Sequence, residues 1–463
     1  MRTHQARCPL ILVVALTLFS RATKAEEQQD KLASPKSGIE RFLERDYMFG
    51  DWGGKRSALS KKGIDFEFFY FGAMPVNISG GIKQGSVLEG ALLTTLDLDS
   101  EKLVGYQGGH FHAGAVWLHS GDRFSQNYVG DLNVVSLIDF PDGLRLWELW
   151  YEQKFWKNKV SLKFGQLAVD RDFIVPEYYN SLASINFLNQ TFFYPTLAFN
   201  VYDIKGLPRG DHALASTPYG APGVRLRVDP IEHWYFQAGV YDGNPELNDS
   251  GTRINLNDKE GALAYFEAGY RLNDSKDSTG LPGSYKVGGY LHTDDFQDVH
   301  GAAAAAFGLT SAQPRMHPNN YGVYLLAEQM VYREQQKADP AQQGLVAFFR
   351  TAAAPADRNL VSLGIDGGLV YKGLIRGRDW DTLGVAGSYL KVSPDINRAY
   401  REAGLLKPDF ETVIETSYKA QITAWWTLQP SLQYVIHPGG RLDVAHQSIS
   451  DAFVFILQTT LRF

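Results

Sequence analysis

The chain is poor in cysteine: among 463 residues there is one, Cys8. That position lies in a leader-like segment, so the remainder can form neither a disulfide nor a thiol site, and a small stapled secreted domain is excluded. Long apolar runs are missing too. The stretch Pro9 to Phe19 has 11 residues, and no later run reaches the roughly 20 residues a membrane helix needs. If this chain enters a bilayer, it must do so with strands. Positive charge is also in short supply, with 45 Lys+Arg against 51 Asp+Glu. Taking away residues 1–25 removes Arg2, Arg7, Arg21 and Lys24 and no acid, leaving 41 bases, 51 acids and a net charge of −10. Nucleic acid is thereby excluded as a partner. No nucleophile elbow, phosphate loop or zinc-protease motif is present, so no enzyme class is supported.

What is present begins with a basic start, Met1 to Arg7, the short apolar core, and small residues at Thr23-Lys24-Ala25. This pattern predicts a secretory signal peptide over residues 1–25. Residues 26–62 read as an N-terminal periplasmic segment with short helices. Ser37-Gly-Ile-Glu40 is a capping box ahead of Ile39, Phe42, Leu43 and Tyr47 at helical spacing. After the turn Gly50-Asp-Trp-Gly-Gly54, Arg56 to Lys62 predicts a second helical piece that stops at Gly63.

From residue 63 onward the period is two. Ile64, Phe66, Phe68 and Tyr70 share one face, as do Leu92, Thr94, Leu96 and Leu98; Trp147, Leu149 and Tyr151; Val160, Leu162 and Phe164; and Val224, Leu226 and Val228. Alternation continues through Trp234 to Tyr241, Ala262 to Tyr270, Tyr285 to Leu291, Tyr321 to Tyr332, Leu345 to Thr351, Leu360 to Tyr371, Leu383 to Tyr389, Ile414 to Trp426 and Leu432 to Ile436. It runs into the final residue, with Phe455, Leu457, Thr459, Leu461 and Phe463 on one face, as in the closing strand of an outer-membrane barrel. Short connections at Asp229-Pro230 and Leu428-Gln429-Pro430 alternate with long ones at Ile174 to Thr217 and His292 to Asn320. The expectation is an all-β fold: a transmembrane antiparallel β-barrel over residues 63–463, of about 16 strands at roughly 25 residues per strand and connection. A secreted soluble sandwich alternates as well, but it does not explain strand-end aromatics such as Trp234, Trp425, Trp426 and Tyr434.

Gly50-Asp-Trp-Gly-Gly-Lys-Arg56, Gly80-Gly81, Tyr151-Glu-Gln153, Phe187-Leu-Asn-Gln190, Gly239-Val-Tyr-Asp-Gly243, Pro282-Gly-Ser-Tyr285, Ala354-Pro-Ala-Asp-Arg-Asn359 and Gly377-Arg-Asp-Trp-Asp381 follow one another along the chain. In that order they resemble the OprB-type carbohydrate-selective porins, and the run Glu411 to Gly440 is similar as well. The resemblance implies a 16-stranded outer-membrane barrel passing sugars by diffusion, without cofactor or energy coupling. The alanine-rich stretch Gly301 to Phe307 departs from the pattern.

A sugar channel needs donors and acceptors for hydroxyls and aromatic faces for the ring. The predicted inward set supplies donors at Lys163, Arg225, Arg227 and Arg350, acceptors at Glu148, Glu152, Glu267 and Glu415, and ring faces at Trp150, Tyr235 and Tyr241. Glu152, Arg225, Glu267 and Arg350 also lie in family-like stretches and are the first choices for a constriction. Any one of them could instead pair across strands to stiffen the wall. Glu148 and Glu152 lie roughly 13 Å apart along one strand, too far for a glycosidase pair. His110 and His112 share a strand face, but no third metal ligand stands at a convincing spacing, so no metal site is assigned. The partners expected are small sugars and outer-membrane lipid, with a homo-oligomer compatible with the lipid faces. A general or anion-selective porin and a loop-plugged structural barrel are the alternatives.

Overall fold

The computed structural model describes residues 37–119, 123–179, 185–193, 216–243, 250–252, 261–275, 278–334, 343–441 and 448–463. The predicted signal peptide and residues 26–36 lie outside them. Within the first 44 residues, helix α1 (Gly38–Leu43) starts at Ser37, whose side chain caps Glu40 while Glu40 caps Ser37 in return. The capping box therefore forms as its residue types dictate.

Arg45–Phe463 forms the barrel unit. It opens with helix α2 (Lys55–Lys61) and enters β1 (Ile64–Gly81). A two-residue strand β2 (Gly85–Ser86) precedes β3 (Glu89–Asp99), helix α3 (Ser100–Val104) and β4 (Gly109–His119). Then come β5 (Gly143–Phe155), β6 (Val160–Leu167), β7 (Ala221–Ile231), β8 (Trp234–Asp242), β9 (Ala262–Leu272) and β10 (Gly283–Gln297). Helix α4 (Val299–Ala306) leads to β11 (Met316–Arg333), β12 (Gly344–Ala353), β13 (Val361–Lys372) and β14 (Thr382–Val392). Helix α5 (Pro394–Glu402) precedes β15 (Phe410–Thr423), β16 (Trp426–Ile436) and β17 (Ser450–Arg462).

Sixteen long strands, β1 and β3 to β17, pair antiparallel with their sequence neighbours, and β17 pairs back onto β1 from Phe69↔Arg462 to Gly81↔Ser450. Closure leaves no edge unpaired, as hydrocarbon demands. Exposed Leu149, Phe164, Leu226, Phe236, Phe266, Val323, Phe349, Leu369 and Ile414 face outward. Much of the opposite face is buried because segments between the strands fold inward against the wall. Phe124, Val129 and Val135 pack on Leu93, Val116, Val454 and Ile456. Phe173 and Ile174 pack among Tyr241, Tyr265 and Tyr324, and Tyr179 stacks on Phe348 at 3.7 Å.

Several expected boundaries move. Asp229-Pro230 lies inside β7, and the turn falls on Glu232-His233. Leu428-Gln429-Pro430 lies inside β16, and the turn falls on Ala424-Trp425, which divides the run Ile414 to Trp426 into two strands. Pro430 is tolerated because pairing with β15 is interrupted at Gln429 and Pro430, whereas pairing with β17 continues at Pro430↔Leu457. The expected loop His292 to Asn320 shrinks, because β10 extends to Gln297 and β11 begins at Met316. Its alanine-rich stretch is the helix α4, capped by Asp298, with Phe307 edge-on to Tyr400 at 4.7 Å. Trp147 does not share the outward face of Leu149. A bulge pairs Leu146 with Ala115 and Glu148 with Gly114, which turns Trp147 inward beneath Arg171.

Candidate pore constriction

Strand pleat and register decide which side chains meet inside the barrel. On β5, Glu148, Trp150 and Glu152 point inward at every second position. Register then places His110, Glu152, Lys163 and Arg225 in one row across β4, β5, β6 and β7. Arg225 Nη2 donates to Glu152 at 2.8 Å, and Ser161, which accepts from Arg225 Nη1 at 2.6 Å, donates to Glu152 at 2.6 Å. Asp172, from the chain between β6 and β7, accepts from Lys163 at 3.0 Å and from Arg225 at 3.3 Å. The Lys163 ammonium lies 4.2 Å from the Trp150 ring centre, and Trp150 Nε1 donates to Glu148 at 3.2 Å. Arg171 approaches Glu148 at 3.5 Å. Glu148, Glu152 and Asp172 therefore each face a cation.

The next sector is built differently. Glu267 on β9 accepts from Tyr235, Gln237 and Tyr324, each at 2.8 Å, and from the backbone N–H of Ile174 at 2.9 Å. Two glycines make this possible. A Cβ at Gly269 would overlap the Tyr235 ring, and one at Gly288 would overlap the Tyr324 hydroxyl. Arg227 lies over the outer face of the Tyr235 ring at 4.0 Å.

The same mode recurs around the wall. Glu328 on β11 accepts from the N–H groups of Glu177, Tyr178 and Tyr179 at 2.8, 2.8 and 3.0 Å. Glu415 accepts from Leu188 and Asn189 at 2.7 and 3.0 Å, and Glu411 from Leu132 and Asn133 at 2.7 Å each. Gln433 Nε2 donates to the Val135 carbonyl at 2.8 Å. Arg350 pairs with its register partner Asp366 at 3.0 Å and donates to the Thr191 carbonyl. These side chains tie the inward-folded segments 132–135 and 172–191 to the barrel where their residues are described.

All eight leading candidates, Glu148, Trp150, Glu152, Lys163, Arg225, Tyr235, Glu267 and Arg350, thus project into the barrel, but they divide into two groups. Glu148, Trp150, Glu152, Lys163 and Arg225 gather in one patch. Glu267, Tyr235 and Arg350, at 4%, 2% and 1% exposure, are engaged in holding the inward chain. Sequence reading passed over Asp172, Gln237, Glu328, Asp366, Glu411 and Gln433. A single acid at the inward position of an apolar strand, as in Leu325-Leu-Ala-Glu-Gln329, was the available signal.

The sequence profile of the carbohydrate-selective porins, the OprB family, matches residues 83–463. The chain belongs to this family. It is 28% identical over 426 residues to Porin B of Pseudomonas aeruginosa, across 85% of this chain and 87% of that protein. The fold is similar to the high-pH structure of Pseudomonas putida OprB, with a TM-score of 0.72, 24% identity, and coverage of 91% of this chain and 99% of that one. It is also similar to the low-pH structure, with a TM-score of 0.53, 19% identity and the same coverage. This OprB-family chain is an outer-membrane porin through which sugars diffuse, a channel fold rather than an enzyme fold. Its short connections lie on one rim, at Trp156–Lys159, Glu232–His233 and Ala424–Trp425, and its long connections on the other.

Proposed function

We propose that small neutral sugars crossing this porin touch the β4 to β7 sector, with Glu152, Lys163 and Arg225 offering acceptors and donors and Trp150, its ring held between His112 and Lys163, lining the site beside them. What supports the reading is the opposed pairing of Glu152 and Asp172 with Lys163 and Arg225. Paired charges give hydroxyl-binding groups without a strong net field, and a sugar held by them is released as readily as it is taken up. The Glu152 side chain retains 14% exposure, more than Lys163 or Arg225 at 6% and 7%, which makes it the first contact. Glu267, Tyr235 and Arg350 act one step back, by fixing the chain that narrows the lumen. Passage is passive and uses no cofactor. The outward apolar face meets outer-membrane lipid, and it is also where copies of the barrel would associate.

The test is single-channel current in a planar bilayer, in salt, while a neutral hexose is titrated. Saturable reduction of current that weakens in Glu152→Ala is the expected result. Discrete openings indifferent to sugar would replace this reading with a general porin. No openings from folded protein would replace it with a plugged barrel, the alternative to which the inward-folded segments lend support.

A further inference from the structure

His110 and His112 are two residues apart on β4, so both imidazoles leave the same face of the strand. On the neighbouring β3, Asp97 is the register partner of His112 and lies diagonally from His110. All three side chains converge. Asp97 Oδ1 lies 2.9 Å from His110 Nε2 and 2.8 Å from His112 Nδ1, and one ligand atom from each residue falls within 4.8 Å of the others. Four ligands at about 2.0–2.1 Å around a tetrahedral zinc-type ion stand roughly 3.3 Å apart, so shifts of under about one ångström at each atom would admit one.

The surroundings suit such an ion. Trp150 stacks on the His112 ring at 4.8 Å with 16° between planes and reaches His110 at 5.5 Å, which fixes both rotamers. His112 Nε2 is buried without a hydrogen-bond partner, and Glu148 Oε2 lies 3.8 Å from it. A carboxylate behind the second ring nitrogen is the arrangement that steadies a metal-bound imidazole. The front of the cluster is open, with the Asp97 and His110 side chains 29% and 35% exposed, leaving room for a water as fourth ligand.

We propose that Asp97, His110 and His112 form a binding site for a divalent transition-metal ion of the zinc class inside the barrel, beside Trp150. Two imidazoles and one carboxylate select such an ion over calcium or magnesium, which take oxygen ligands. A bound ion would place positive charge next to Glu152, so the site would link metal supply to what the pore conducts.

The probe is Co2+, titrated into the full chain purified without a histidine tag. The expected result is a visible absorption band of low-coordinate cobalt that saturates at one equivalent, is bleached by Zn2+ and is unaffected by Ca2+. In His110→Gln/His112→Gln the affinity should fall at least tenfold. His110→Gln alone, a change at the exposed ligand, provides a second variant, and the mobility of unheated protein on a detergent gel shows that each barrel is folded. No saturable band in the wild type, or the same band and affinity in the folded variants, would overturn the proposal.

Discussion

Along β5, β6 and β7 the wall carboxylates face cationic side chains, whereas along β11 and β15 they face backbone N–H groups, and on β9 Glu267 faces neutral side-chain donors and one backbone N–H. Glu152 belongs to the first kind, with Arg225 at 2.8 Å, and Glu328 to the second, with three amides within 3.0 Å. The difference teaches that an inward acid in a barrel has two distinct uses. Paired with a cation it leaves a mixed polar surface on which a solute can exchange. Bound to amides it fixes a segment of chain across the lumen and is no longer available to a solute. Arg350 is where the two modes meet, since it neutralises Asp366 and also holds a loop carbonyl.

Arg350→Ala gives the largest expected effect. It strands the buried Asp366 carboxylate and frees the Thr191 carbonyl, costing about 3–5 kcal/mol, read as a lower denaturant midpoint in detergent. Glu328→Gln leaves at least one of three amides unsatisfied and should cost about 2–3 kcal/mol. In a bilayer its current should be larger and noisier than the wild type, since the tie on Glu177 to Tyr179 is weakened. Quiet, unchanged current would collapse the distinction between the two sectors.

Asp170 sharpens the comparison by pH. This carboxyl, in the turn after β6 and outside the strands, is pushed up to about 6 by burial, against hydrogen bonds from Thr217 that pull the other way. A carboxyl raised in the folded state favours folding below its unfolded pKa and loses that contribution as pH rises through about 6. Asp170→Asn should therefore gain about 2–3 kcal/mol on the wild type between pH 4 and 7, measured from denaturant midpoints at the two pH values. The smallest change is expected from Glu152→Gln, about 1–2 kcal/mol in stability because Arg225 and Lys163 keep Asp172 and the Gln oxygen still accepts a hydrogen bond, with its main signature a shift of reversal potential toward anions. A stability loss as large as that of Glu328→Gln would show that Glu152, too, is a structural anchor.

The barrel was legible in the sequence because a strand with lipid on one side repeats its apolar residues at a period of two. Turns were less so. Pro430 marks a break in one ladder of β16 rather than the end of the strand, and a proline residue type alone does not distinguish these. Helix α5 carries its signature in Ser393-Pro394-Asp395 and in Ile396, Ala399 and Tyr400, a helical spacing to which period-two alternation is blind. At the site, alternation put Glu152, Lys163 and Arg225 on the inward face, and strand register in the folded barrel brought them into one row. What stayed hidden was the inward chain: the partners of Glu328 are about 150 positions away, and Leu132 and Asn133 lie more than 270 from the Glu411 that holds them, and no local pattern encodes so distant a meeting. Asp97 was hidden from the His110 and His112 pair in the same way, by the turn between β3 and β4.

Pairing of β17 with β1 joins positions such as Glu67 and Arg462, whose ion pair closes a separation of 395 residues. Such a contact carries nearly the largest loop-closure cost the chain can present, so it is expected to form after the local hairpins. Until it is made, β1 and β17 are two long bare edges, each able to template the wrong neighbour. Assembly is therefore a race between the two ends finding one another and either edge finding another chain, and a product lacking its last strand would lose that race every time.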